Sequence, residues 1–182
     1  MGRKLIVLLS LITLLCIGLS VSCGPSEEEL QKQKLEVERQ AEREQVLLWN
    51  KQITEVVNNI GILMDWWNPI QADFNRQISE GRVMTKEAEQ QREDQISSLR
   101  SNFGKLYAMV ITTTCPNSCL EAHQTLLQYL DKYQSQLTSA IAYNSTNNER
   151  DRLDANTKLN ECNALWTQFV LQYETIKQEW DL

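Results

Sequence analysis

The stretch CLEAHQTLLQYLDKYQSQLTSA, residues 119–140, decides the fold. Cys119, His123, Leu126, Leu130, Tyr133, Leu137 and Ala140 recur at steps of four and three, which brings them to one face of an α-helix. The positions between them are mostly polar, and no period-two alternation competes. A helix of this kind buries its seam only against other helices with seams of their own.

Working outward, such partners appear on both sides. Downstream, Asn144 to Asn148 is a cluster of small polar residues that reads as a turn. Beyond it Leu159, Cys162, Trp166, Phe169, Tyr173, Ile176 and Trp180 repeat the spacing almost to the C-terminus. Upstream, the β-branched Thr112, Thr113 and Thr114 and the ring of Pro116 disfavour helix, which places a turn at 112–118 and the start of the helix at Asn117 or Ser118. Before that turn, Thr85 with Glu87 and Glu89 reads as a helix start, followed after three polar turns by Ile96, Leu99, Phe103, Leu106 and Val110. The earliest seam is Trp49, Ile53, Val56, Ile60, Leu63, Trp67, Ile70 and Phe74, with Gly81 as its stop. Pro69 removes one backbone donor inside it, so a kink near 65–69 is expected. Four seams joined by short loops predict an all-α, antiparallel up-down-up-down four-helix bundle over residues 45–182.

Residues 23–44 differ from this pattern. Ser26 followed by Glu27, Glu28 and Glu29 has the form of an N-cap with acids in the first turn. From there to Glu44 the only apolar residues are Leu30, Leu35, Val37 and Ala41, too few for a core face. The reading is a long N-terminal helical stalk, ~28 Å if continuous at 1.5 Å per residue.

The N-terminus supplies a location. Arg3 and Lys4 precede an apolar run from Leu5 to Val21, the layout of a secretion signal over residues 1–22. That run sits at the short limit for a membrane span. Ser20-Val21-Ser22-Cys23 resembles the lipobox of bacterial lipoproteins, although Ser20 stands where the motif prefers an aliphatic residue. The resemblance covers only residues 1–24 and implies a lipid on Cys23, an extracytoplasmic location and attachment to the bacterial cell membrane or outer membrane. Ser20 and Ser22 also fit an ordinary signal-peptidase site, which would leave Cys23 a thiol, and retention of the apolar run is the third outcome.

Net charge is −6, and loss of Arg3 and Lys4 with the signal takes it to −8. An acidic body does not favour nucleic acid or anionic lipid as a partner. The expected partners are the membrane, through the anchor, and another envelope protein.

Of the five cysteines, Cys115, Cys119 and Cys162 fall in the body, in a compartment that permits disulfides. If the last two helices fold back near residue 146, Cys162 lies ~16 Å along the axis from Cys119, too far for a bridge. Cys115 with Cys119 is the expected disulfide. Cys115, Cys119 and His123 also share a helix face and could be read as soft-metal ligands, but Pro116 interrupts that geometry, so neither metal nor cofactor is expected. His123, the single histidine, has no local nucleophile and acid to form a triad. Trp67, His123, Trp166 and Tyr173 are the candidate lining of an apolar ligand pocket, against the plainer reading of helical core. Asn144-Ser145-Thr146 fits the glycosylation acceptor pattern. The functional expectation is a non-catalytic, membrane-anchored binding or interaction module. The alternatives are a carrier of a small apolar ligand or metal in the bundle core and a thiol-dependent redox protein.

Overall fold

A computed structural model describes residues 26–80 and 85–182. The signal segment, Cys16, Cys23 and Gly81 lie outside the described residues, as does the side chain of Phe74. Four long helices follow one another: α1 (Glu27–Ser79), α2 (Lys86–Thr112), α3 (Leu120–Thr146) and α4 (Glu149–Trp180), with a 3-10 turn (Asn117–Cys119) before α3. No strand occurs among the described residues.

The helix starts have local chemical causes. Ser26 and Glu29 form a reciprocal capping box: the Glu29 backbone N–H donates to Ser26 Oγ at 3.2 Å, and the Ser26 N–H donates to Glu29 Oε2 at 2.8 Å. Thr85 accepts from the Ala88 N–H at 3.3 Å, and Asn148 accepts from the Arg150 N–H at 2.9 Å, capping α2 and α4. Asn147 takes the left-handed conformation, φ 50°, and closes α3. The turn expected at 144–148 is thereby reduced to two residues. α1 runs past Pro69 without ending.

Residues 1–42 and 43–182 form separate units. In the first, every described residue from 26 to 41 is exposed, including Leu35 and Val37.

The second unit is a helical bundle around one apolar core. All five seam residues of α2 are buried, as are Trp49, Ile53, Val56, Ile60 and Trp67 of α1. α3 contributes Leu126, Leu130, Tyr133 and Leu137, and α4 contributes Cys162, Phe169, Tyr173 and Ile176. Ring contacts tie the helices together: Phe103 is stacked on Tyr133 with centroids 4.3 Å apart, and Tyr129 packs at a tilt on Trp166 at 5.0 Å. Polar contacts mark the edges. Between α3 and α4 these are Gln172 to Glu121 at 2.7 Å, Lys132 with Glu161 at 2.7 Å, and Ser139 to Asp154 at 2.5 Å. Between α2 and α3, Asn144 donates to the Glu89 carbonyl at 3.2 Å.

Candidate functional site

The four residues anticipated as a pocket lining are all at least partly buried, but they do not gather around a common space. Trp49 of α1 donates its indole N–H to His123 Nδ1 at 3.2 Å and meets Tyr173 edge-on at 5.9 Å. The Tyr173 hydroxyl donates to Asn50 Oδ1 at 2.5 Å and shares a hydrogen bond with Thr54 Oγ1 at 2.8 Å. Phe169 stacks on Tyr173, and Trp166 leans on Phe169. Trp67 lies 18 residues beyond Trp49 on the same helix, about 27 Å along its axis, and its ring neighbour is Trp66. His123, Trp166 and Tyr173 are therefore linked through Trp49 and Phe169 in one aromatic layer, and Trp67 stands at another level of the bundle. Burial of His123 lowers its pKa below the ordinary 6.5, so the ring is neutral at pH 7 and accepts at Nδ1.

Cys115, Cys119 and Cys162 are thiols, and no bridge joins the first two. Cys115 Sγ faces the Pro116 carbonyl at 3.3 Å, whereas Cys119 ends a 3-10 turn and is fully buried in the core. Pro116 between them is extended, so the two do not sit on one regular helix face, although both pack in or against the apolar core. Burial pushes the thiol of Cys115 up to about 11 and that of Cys162 up to about 12, away from the thiolate form that redox and ligand chemistry require. Among the described residues, no three His, Cys, Asp or Glu side chains converge closely enough to hold a metal ion.

Two polar arrangements were not anticipated. In the first, Lys158 Nζ donates to Ser139 Oγ at 2.8 Å and pairs with Asp154 at 2.6 Å. A serine beside a lysine resembles a nucleophile and its base, but that role needs a neutral amine. Here Lys158 is committed to an ion pair with Asp154, whose carboxyl is held below the usual range by Lys158 and Ser139.

The second is a cleft of about 520 Å³ with walls from all four helices. α1 supplies Gln71 and Asn75, α2 supplies Arg92, α3 supplies Gln136 and Tyr143, and α4 supplies Asn156. Arg152 and Glu149 form an ion pair on the same wall. Gln136 is 8% exposed, and its Oε1 is shut off from water without a hydrogen-bond partner. Burial pushes the Arg92 guanidinium down to about 9, and the nearby Tyr143 draws it partly back. Arg92 remains a cation at pH 7, partly stripped of water. A neighbouring cleft of about 380 Å³ between α1 and α2 shares Arg92 and is bounded by Pro69, Ile70 and Asp73.

Sequence patterning misses this site because its residues occupy positions flanking the seams, where amides ordinarily face solvent. Their one visible signal was the run of polar turns opening α2, where the apolar spacing lapses. The chain matches no protein-family model, no curated protein and no solved structure.

Proposed function

We propose that this chain is a bacterial envelope lipoprotein, anchored through a lipid on Cys23, whose helical bundle is a contact-making module for another envelope protein. The observation that carries the reading is the fully exposed helical segment from 26 to 41. Its polar faces bury nothing, although the capping box fixes where it begins. A helix of that composition is suited to spacing a body from a surface, since it has no apolar stripe with which to fold back. No helix among the described residues is long and apolar enough to cross a membrane; in this reading the attachment is carried by Cys23. Acyl chains there contribute roughly 0.8 kcal/mol per buried methylene.

The bundle in this proposal has up-down-up-down topology. Supporting it, partners on α4 fall in number as those on α3 rise: Glu121 with Gln172, Lys132 with Glu161, Ser139 with Asp154. Glu89 and Phe103 of α2 meet Asn144 and Tyr133 of α3 in the same inverse order. Trp49 and Met64 of α1 meet His123 and Tyr133 in direct order, which fits two helices running the same way.

Mass spectrometry of the protein recovered from bacterial membranes tests the anchor. The expected mass is that of a chain beginning at a triacylated or diacylated Cys23, and Cys23→Ala is expected to move the protein into the soluble fraction. A mature N-terminus elsewhere, or an unmodified Cys23 thiol, overturns it.

A further inference from the structure

We propose that the outer face of α1 binds a second copy of the same chain, the two helices running antiparallel about a two-fold axis at Asn58. Leu48, Lys51, Glu55, Asn58, Ile62 and Asp65 recur at alternating steps of three and four, and all are exposed. They form one continuous stripe on the side of α1 turned away from the core, with the spacing by which one helix packs along another. Its apolar members are large and wet: Leu48 is 56% exposed, Ile62 66%, and Trp66 on the flank of the stripe 42%.

The occupant is a second copy because the stripe carries its own complement. A two-fold contact uses the same patch on both chains, and antiparallel pairing at Asn58 puts residues equally far before and after that position opposite each other. Lys51 of each copy then faces Asp65 of the other, and symmetry makes the pair twice. Neither is held in an ion pair among the described residues. Leu48 of each copy lies on the same flank as Trp66 of the other, so the exposed apolar groups cover one another. Glu55 falls opposite Gly61, where an added Cβ would meet nothing within 4 Å, which leaves room for the helices to approach. Parallel pairing would instead set Lys51 against Lys51 and Asp65 against Asp65.

The proposal is independent of the anchor. Oxidative cross-linking of the full chain tests it. Asn58→Cys, at the two-fold axis, is expected to give a disulfide-linked dimer above the background of the parent chain, and Asn160→Cys on the exposed side of α4 is not. Adding Lys51→Glu to Asn58→Cys sets like charges opposite each other in both pairs and is expected to weaken dimerisation by about tenfold. Adding Asp65→Lys as well reverses both charges and is expected to restore it. All these positions are exposed, and cooperative urea unfolding of each variant checks that the fold is kept. No dimer from Asn58→Cys, equal yield from Asn160→Cys, or a double charge reversal that stays monomeric overturns the proposal. An unlipidated chain that still gives the dimer removes the anchor and leaves this inference standing.

Discussion

Trp49 and His123, on α1 and α3, are joined by an indole N–H donated to Nδ1 at 3.2 Å inside the core. The bond fixes the imidazole proton on Nε2 and satisfies the buried indole donor. It also makes the bundle sensitive to acid, because a protonated Nδ1 cannot accept.

The sign follows from burial, which holds the folded pKa of His123 below 6.5. As pH falls, the unfolded chain takes the proton first, so stability is complete above pH 6.5 and is lost as pH drops through the folded value. Urea midpoints are expected to be lower at about pH 5.5 than at about pH 7.5, and His123→Gln, which keeps an acceptor, is expected to flatten the difference. Identical slopes in the two proteins would contradict this. His123→Phe orphans the Trp49 donor and is expected to cost about 1–3 kcal/mol at neutral pH.

Thiol reactivity should follow burial. With its thiol pushed up to about 12 and full burial, Cys162 is expected to resist iodoacetamide until the protein unfolds, whereas half-buried Cys115 reacts slowly in the native state. Peptide mapping after timed alkylation, with and without urea, checks the order. Rapid native labelling of Cys162 would show that the core around it opens.

Phe103 is fully buried and stacked on Tyr133. Phe103→Ala removes the ring and leaves a cavity, for an expected loss of about 3–5 kcal/mol in denaturant unfolding. A loss under about 1 kcal/mol would mean that the aromatic layer repacks freely.

Leu35 and Val37 are 66% and 69% exposed. Replacing both with Glu is expected to change unfolding stability by no more than about 0.5 kcal/mol, as for surface positions in general. A larger loss would indicate that the segment packs on something in solution.

How much of this was readable in advance varies by residue. The α2 seam is visible because each of its five apolar side chains recurs at helical spacing and each is buried. Ser26 and Thr85 announce helix starts through local hydrogen bonds that involve only neighbours in the chain, whereas Asn148, read as part of a turn, caps α4 in the same way. Val46 begins the α1 seam one turn earlier than the spacing from Trp49 suggested. The meeting of Trp49 with His123 was not readable, since the relative register of two helices is set by packing across the bundle and leaves no mark in either segment alone. The same holds for Arg92 and Gln136, brought together from α2 and α3. Cys115 and Cys119 are four residues apart, but the extended backbone at Pro116 and the 3-10 turn that follows replace the regular helix that this spacing suggested.

The joint at Asn147 and Asn148 has a consequence for how the chain assembles. With only two residues between α3 and α4, closing that hairpin sacrifices little chain entropy, and contacts such as Ser139 with Asp154 form between near neighbours. The C-terminal hairpin is therefore the segment expected to nucleate, with the long first helix docking late through distant partners such as His123 and Tyr173. Assembly then runs from the end of the chain toward its beginning, against the direction of synthesis, and the buried half of α1 must wait, apolar face uncovered, until the last residues have emerged.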